Sequence, residues 1–257
     1  MRVSEVPMTI TQNTSGVNKR MQPDTLCLLA TRKVGSVSPH NRPQFEIASL
    51  LSLLQTMATQ RPHLLGHGDR TASYALLLGT AVELSAADLI HLHYAALLHD
   101  IGQLTLPDEL LKKDGPLTAE EYEQVQSHPR AGAELLEPIS FLQIPALWIA
   151  HHHERWDGTG YPYGLPGPFI PLGSRILAVA DTFDALTSNR PDGQLYNQES
   201  ALRLLRMVAG SQLDPTLVEV FVRLEPELVK IHLTRGGLCL PPQGGAPPFL
   251  REAPRPP

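Results

Sequence analysis

The chain has little cysteine, few aromatic residues and little charge. Its two cysteines, Cys27 and Cys239, lie near opposite ends of the 257 residues, which excludes a disulfide framework and a cysteine-ligated zinc site and favours a reducing compartment. Charged residues make up 18% and the net charge is −5. A protein that binds DNA or a membrane surface mainly through positive charge is therefore not expected.

Long apolar runs are also missing. The most apolar stretches, residues 74–82 and 141–150, are nine or ten residues long, whereas a membrane helix needs about 20. The N-terminus lacks the basic region and apolar run of a secretory signal. The sequence therefore predicts a cytoplasmic protein that has neither a membrane nor DNA as its partner.

Proline is in excess, with 24 residues, and its distribution divides the chain. Residues 232–257 are rich in proline and glycine, which predicts a tail without helix or central strand. Residues 1–44 are polar without a sustained period, which predicts a mostly irregular lead-in. Between them, residues 45–231 repeat apolar side chains every three or four positions, as expected of a helical domain.

The fold prediction is all-α. Ser85 with Asp88, and Thr118 with Glu121, have the spacing of helix N-terminal capping boxes, and β-branched alternation is almost absent. We expect a single bundle of about seven or eight helices with one long irregular loop. The loop is predicted over residues 154–172, and four of the helices over residues 85–99, 144–153, 175–186 and 199–209.

Histidine and aspartate carry the chemical signal. His99 and Asp100 are adjacent at the expected end of a helix, where they could grip a metal, although a packed histidine beside a capping aspartate gives the same pattern. Three successive histidines, residues 151–153, follow on an apolar helix, and Asp181 lies within another. Such groups are costly to bury unless they are hydrogen-bonded or bind metal. Two further histidines are placed at helix ends by the pattern, His128 at the close of one helix and His67 at the start of another.

Together these residues resemble the HD-GYP family, a branch of the HD-domain metal-dependent phosphohydrolases. The resemblance covers residues 44–225. The motifs that carry it are His67-x-x-Arg70, His99-Asp100-Ile-Gly, Leu106-Pro-Asp-Glu-Leu-Leu, Leu117-Thr, His128-Pro, His152-His-Glu-Arg-Trp-Asp-Gly-Thr-Gly-Tyr-Pro162, Ile170-Pro-Leu, Arg175-Ile-Leu-Ala-Val-Ala-Asp181 and Leu186-Thr-Ser-Asn-Arg-Pro191.

The resemblance implies a helical HD domain with a centre of divalent transition metals, iron or manganese. The family's ligands fall on His67, His99, Asp100, His128, His152, His153 and Asp181. Asp100 matches the bridging carboxylate. A shell of imidazoles and carboxylates without thiolate also suits iron or manganese on chemical grounds. Two metals are expected, because His63 stands where members with a third metal have glutamate.

The resemblance further implies a phosphodiesterase that hydrolyses cyclic di-GMP to a linear dinucleotide or GMP. Two close metals lower the pKa of a bridging water, so that the attacking hydroxide forms at neutral pH. Arg190 matches an arginine that contacts a substrate phosphate. In the family, the stretch matched by Gly160, Tyr161 and Pro162 belongs to a loop linked to diguanylate cyclase (GGDEF) domains, and members often form homodimers.

Two departures from the family pattern bear on activity. Gln103 replaces a lysine that in the family protonates the leaving oxygen or holds the phosphate. After Arg190 the family usually has a second basic residue, whereas this chain lacks it and has the acidic Asp192. An amide donates a hydrogen bond but no proton, and loss of a general acid typically lowers a rate by about 10²–10⁴. The alternative is therefore a weak or inactive module that binds a cyclic dinucleotide or a partner protein. A related cyclic dinucleotide as substrate fits the same metal site.

Overall fold

The computed structural model describes residues 42–113, 115–188, 196–228 and 231 of the chain. The predicted tail and almost all of the predicted lead-in lie outside these residues, so their organisation stays a prediction. Arg190, Pro191 and Asp192 also lie outside them.

The described residues are helical, which confirms the all-α prediction. The α-helices are α1 Arg42–Gln60, α2 Pro62–Ala81, α3 Ala86–Leu98, α4 Asp108–Leu111, α5 Ala119–Gln126, α6 His128–Leu136, α7 Gln143–Ala150, α8 Leu172–Thr187, α9 Gln198–Val208 and α10 Pro215–Arg223. Short 3-10 helices lie at Ile101–Thr105, Ser140–Leu142 and Gly167–Phe169.

The described residues form ten α-helices, which is more than the seven or eight that the sequence predicts. A helix such as α4 has only four residues, which is too short to display a period of 3.6. None of the helices in the described part of the chain is long and apolar enough to cross a membrane.

Both predicted N-cap residues cap their helices, and one of the two predicted capping boxes is complete. The Ser85 hydroxyl accepts a hydrogen bond from the backbone N–H of Asp88 at 3.1 Å. Thr118 and Glu121 make the full reciprocal box, because each side chain accepts a hydrogen bond from the backbone N–H of the other. Each cap satisfies backbone donors that have no partner inside the helix, which stabilises a helix start by about 1 kcal/mol.

Three predicted helix boundaries are wrong. His67 lies inside α2, because Pro62 begins that helix one turn earlier. His128 opens α6 rather than closing a helix, since Pro129 occupies a position near the helix start where its missing N–H is tolerated. The apolar helix ends at Ala150, so residues 151–153 form a turn beyond its end.

The core is built around α2, which packs against α3 and α8. At its centre the Tyr74 and Phe183 rings meet edge to face at 5.0 Å, and Phe183 meets Phe221 of α10 at 5.2 Å. Each of these side chains is at most 1% exposed. Burial of a ring of this size stabilises the fold by roughly 1.5–3 kcal/mol, and it fixes α2 and α8, which carry His67 and Asp181.

Gly102 allows the 3-10 helix after α3 to contact α6. A Cβ atom at Gly102 would overlap the backbone carbonyl of His128, and Gly132 of α6 lies on the other side of the contact. Only a glycine fits against backbone atoms at this distance. The backbones that carry Asp100 and His128 therefore approach each other directly.

We expect Gly102→Ala to lower the free energy of unfolding by about 1–3 kcal/mol, because the added methyl group must push α6 away. His128 would shift with α6, so metal content should fall as well. Chemical denaturation and elemental analysis measure the two effects. Gly66→Ala is the control, since its Cβ would meet only the end of the Arg70 side chain at 3.4 Å. Equal stability of both variants would contradict the close approach.

Candidate metal centre

All seven predicted ligands converge in the interior of the bundle. They come from α2, the end of α3, the start of α6, the turn after α7, and α8. The donor atoms of six of them form two groups, and within each group the atoms lie within 4.8 Å of one another. One group is His67, His99 and Asp100, and the other is His128, His152 and His153.

Asp100 lies between the two groups. Its Oδ2 is 3.4 Å from Nε2 of His99 in the first group. Its Oδ1 is 3.4 Å from Nε2 of His128 in the second group. One carboxylate thus presents an oxygen to each group, which is the arrangement that a bridging ligand requires.

Asp181 extends the first group. Its Oδ1 is 3.0 Å from Nε2 of His67 and 3.8 Å from Nε2 of His99. The two histidine Nε2 atoms are themselves 3.0 Å apart. The first group therefore combines two imidazoles with the carboxylates of Asp100 and Asp181.

Backbone carbonyls orient three of the predicted ligand rings. In each case the Nδ1–H donates a hydrogen bond to the carbonyl three residues earlier, so Nε2 points towards the other predicted ligands. The pairs are His99 with Ala96 at 2.8 Å, His128 with Val125 at 2.8 Å and His152 with Ile149 at 2.7 Å.

The fourth ring, that of His67, is oriented by a carboxylate. Its Nδ1 donates to Oδ2 of Asp184 at 2.7 Å. Arg70 holds that carboxylate in turn, with Nε at 2.7 Å from Oδ1 and a terminal nitrogen at 2.9 Å from Oδ2. This two-pronged contact is the strong form of an arginine–carboxylate pair. Sequence reasoning assigned no role to Asp184, although a second buried carboxylate one helical turn after Asp181 was the available signal.

The charges of the site shift its pKa values. Burial alone would lower the pKa of His67, but the carboxylates of Asp181 and Asp184 outweigh burial and raise it well above 6.5. Burial would raise the pKa of Asp100, but His99, His128 and His67 hold it well below its ordinary value. Burial and the neighbouring His99 and His128 lower the pKa of His152 to about 3. Asp100 is therefore ionised and His152 neutral near pH 7, the states that ligate metal.

The buried donor atoms fit a divalent metal. Within the described residues, both oxygens of Asp100, Oδ1 of Asp181 and Nε2 of His152 are buried without a hydrogen bond of good geometry, although imidazole nitrogens lie 3.0–3.4 Å from the three oxygens. A buried polar atom left without a partner costs about 1–3 kcal/mol. Carboxylate oxygens and imidazole lone pairs are the donors that first-row divalent metals accept, so bound metal would satisfy the same atoms that the protein leaves unpaired.

Gln103 is buried on the 3-10 helix that follows Asp100, with 2% of its surface exposed. Its backbone N–H donates to the Asp100 carbonyl at 2.9 Å. Its side-chain nitrogen has no hydrogen-bond partner among the described residues. The amide donor is therefore held in the interior three residues after Asp100. Arg190, the predicted substrate ligand, lies outside the described residues.

The predicted partner loop begins at the metal centre. The Tyr161 ring lies 5.0 Å from the His153 ring, and its backbone N–H donates to the His153 carbonyl at 3.2 Å. The Tyr161–Pro162 peptide bond is cis. Gly160 is required here, because a Cβ atom would overlap the backbone of Glu154 and Arg155. The loop and the second ligand group thus share a backbone segment.

Glu154 fastens the loop from inside. Glu154 is 3% exposed, and its carboxylate accepts hydrogen bonds from the backbone N–H groups of Tyr163 at 2.8 Å and Leu165 at 2.9 Å. On the outside, the backbone N–H of Trp156 donates to the backbone carbonyl of Gln212 at 3.1 Å. The sequence motif contains Glu154 but does not predict its role. Its buried carboxylate positions the loop beside His152 and His153.

An all-helical bundle with two joined groups of buried histidine and aspartate defines a class of metal-binding helical domains. The family model for the HD domain matches residues 52–217. The chain therefore belongs to the HD domain family, which confirms the family that the sequence motifs predict.

Two curated relatives illustrate the match. The chain is 41% identical over 165 residues to the cyclic di-GMP phosphodiesterase response regulator RpfG of Xanthomonas campestris, covering 63% of this chain and 44% of the relative. It is 38% identical over 167 residues to the 3'3'-cGAMP-specific phosphodiesterase 3 of Vibrio cholerae, covering 65% of this chain and 36% of the relative. The chain thus spans less than half the length of either relative.

A solved structure supports the fold. The cyclic GMP-AMP specific phosphodiesterase V-cGAP3 of V. cholerae superimposes with a TM-score of 0.55 at 24% identity, covering 75% of this chain and 52% of that chain. The similarity of the two structures is one of fold.

We expect Asp100→Ala to abolish metal binding at both groups, because this substitution removes the carboxylate that faces each of them. Elemental analysis of the purified protein measures the loss. His93→Ala, an exposed histidine of α3, is the control and should retain full metal content. Unchanged metal in Asp100→Ala would refute the assignment of this ligand.

Asp184→Asn tests the support of His67. The amide keeps the shape of the side chain but weakens both the contact with Arg70 and the hold on Nδ1 of His67. Loss of such an outer partner typically lowers metal affinity by about 10–100-fold. Metal competition with a chelator measures the change, and Asp88→Asn, at a half-exposed carboxylate outside the centre, serves as control. An affinity equal to that of the control would show that Asp184 does not act through His67.

Proposed function

We propose that the domain is a metal-dependent phosphodiesterase that hydrolyses cyclic di-GMP to a linear dinucleotide or GMP. The observation that carries the proposal is the placement of the Asp100 carboxylate between histidines of the two groups, with one oxygen 3.4 Å from His99 and the other 3.4 Å from His128. The name of the Xanthomonas relative supports cyclic di-GMP as the substrate.

The proposed cofactor is a pair of divalent iron or manganese ions. His67, His99 and Asp181 would hold one ion, His128, His152 and His153 the other, and Asp100 would contact both. The ions would supply Lewis acidity and a nucleophile at neutral pH. The absence of thiolate among the ligands supports a harder metal than those that thiolate sites select.

The protein's own groups prepare the site for an anionic substrate. The hydrogen bonds from Nδ1 keep the ligand rings in one tautomer and one direction, so no reorientation is required when substrate enters. Burial lowers the local dielectric and strengthens every electrostatic contact with a phosphate. Arg190 is proposed to hold a phosphate oxygen, and Asp100 to act as the catalytic carboxylate through its position between the ions.

Gln103 sets the expected rate. Its buried side-chain nitrogen can donate a hydrogen bond to a phosphate or leaving oxygen, but it transfers no proton. We therefore propose slow hydrolysis, with leaving-group protonation left to water.

The test uses the full chain, purified without oxygen and loaded with iron or manganese, with cyclic di-GMP and its products separated by chromatography. We expect measurable cleavage by the native chain and faster cleavage by Gln103→Lys, by up to about 10²-fold. Gln103→Met is the matched control, because it keeps the length of the side chain and removes its donor. If metal-loaded native protein leaves cyclic di-GMP intact while Gln103→Lys cleaves it, the enzymatic proposal fails for the native chain.

A second candidate substrate is 3'3'-cGAMP, which the name of the Vibrio relative favours. The same assay with both dinucleotides in competition compares the two. If neither is cleaved and calorimetry detects binding, the domain is instead a binding module, as the loss of the family lysine at Gln103 would suggest.

The loop from residue 154 to residue 172 is the proposed surface for a diguanylate cyclase (GGDEF) domain. Glu154 fixes its backbone, and Phe169 and Tyr163 are 78% and 54% exposed on its outer side. Gly160, Tyr161 and Pro162 shape the segment that connects this surface to the metal centre.

A further inference from the structure

The Leu106-Pro-Asp-Glu-Leu-Leu motif follows closely after Gln103 and has no role in the chemistry proposed above. Leu106 and Leu110 are 6% and 5% exposed. They pack with Leu117 and Val125 in a small apolar cluster that is separate from the main core. Packing in the main core therefore does not by itself fix where this segment lies relative to the metal centre.

Arg61 joins this segment to the corner between α1 and α2. One terminal nitrogen lies 2.7 Å from Oδ1 of Asp108 and also donates to the backbone carbonyl of Gln60, the last residue of α1, at 3.1 Å. The other terminal nitrogen donates to the backbone carbonyl of Leu106 at 3.2 Å. Arg61 is only 8% exposed. A buried guanidinium is costly unless oxygens replace its water, so these three acceptors fix its place.

A short chain of hydrogen bonds leads from Arg61 to the candidate metal centre. The Leu106 carbonyl accepts from Arg61, and the Leu106 backbone N–H donates to the Gln103 carbonyl at 3.2 Å. The Gln103 backbone N–H donates in turn to the Asp100 carbonyl at 2.9 Å. Arg61 therefore anchors the far end of the 3-10 helix that begins directly after Asp100.

We propose that Arg61 is a positioning residue for the proposed reaction. It holds the end of this 3-10 helix, so that the buried side-chain amide of Gln103 keeps its place in the interior three residues after Asp100. This role rests on the proposed function, in which Gln103 donates a hydrogen bond to a phosphate or leaving oxygen. A group misplaced by about 1 Å can lower a rate by about 10²-fold, so Arg61 affects the rate through Gln103 without binding substrate.

The contact with the Leu106 carbonyl is the one on which the positioning depends. The Asp108 side chain is 52% exposed and also lies 3.3 Å from Nζ of Lys112. An ion pair to so exposed a carboxylate contributes little to stability. The Leu106 carbonyl belongs to a buried residue, and the planar guanidinium reaches this carbonyl and the carboxylate together.

The first measurement is hydrogen exchange in the full, metal-loaded chain, read by mass spectrometry on the peptide that contains Gln103 and Leu106. We expect exchange faster by about 10-fold or more in Arg61→Met, which removes every donor of this side chain. Lys112→Met is the matched control, because it removes the other cation beside Asp108, and it should exchange like the native chain. Unchanged exchange in Arg61→Met would overturn the proposal. So would equally fast exchange in Asp108→Asn, which leaves the carbonyl contact in place.

The second measurement separates positioning from general stability. With cyclic di-GMP as substrate, Arg61→Met should lower kcat by about 10-fold and leave KM and metal content close to native. In a Gln103→Met chain, the same change should lower kcat by less than about 2-fold, because the donor that Arg61 positions is already absent. Equal losses in both chains would show that Arg61 does not act through Gln103 and would overturn the proposal.

A failure of the proposed function has a different signature. If the metal-loaded native chain cleaves neither dinucleotide, the enzymatic proposal fails and the role of Arg61 in the rate fails with it, while the exchange measurement still decides whether Arg61 holds the 3-10 helix. If the native chain is active and Arg61→Met matches it in exchange and kcat, only the role of Arg61 is refuted. Circular dichroism checks that each variant is folded. Arg61→Lys, which keeps a cation beside Asp108, replaces Arg61→Met under the same criteria if the latter does not fold.

Discussion

The burial of the Asp100 carboxylate between two groups of imidazoles is the constraint on which the structure depends. Removing an anion from water is strongly unfavourable unless positive charge replaces the solvent. His99 lies 3.4 Å from one oxygen of Asp100 and His128 lies 3.4 Å from the other, and together with His67 they hold the pKa of this carboxyl well below its ordinary value. The surrounding helices can bury this group only because each of them also delivers a charge partner or a ligand to the same point.

The rest of the fold serves that convergence. Gly102 lets the segment after Asp100 touch the backbone of His128, so the carboxylate and the second ligand group are held by direct contact. The aromatic packing of Tyr74 and Phe183 fixes α2 against α8, and the pair of Arg70 and Asp184 then locks His67 of one helix to the other. Packing positions the helices, and polar contacts choose the direction of each donor atom.

The sequence was sufficient for the fold class, because apolar side chains repeat every three or four positions. It also named the histidines and aspartates that the structure brings together, because such groups are costly to bury without a partner. It was insufficient where a contact depends on tertiary geometry. The role of Asp184 depends on its contact with Arg70, which is 114 residues away in the sequence. A local sequence pattern does not predict a contact between residues so far apart. His67 was expected at the start of α2, but Pro62 begins this helix, so His67 lies inside it.

The carbonyls that receive Nδ1–H from His99, His128 and His152 belong to Ala96, Val125 and Ile149, each in the last turn of α3, α5 or α7. Helix ends are the parts of a helix that fray most readily. The direction of three ligands is therefore tied to the order of three helix ends. By linkage, any ligand that requires the rings in this direction also stabilises those last turns. If the predicted ligands bind metal, metal occupancy and the order of these three helix ends would report the same equilibrium.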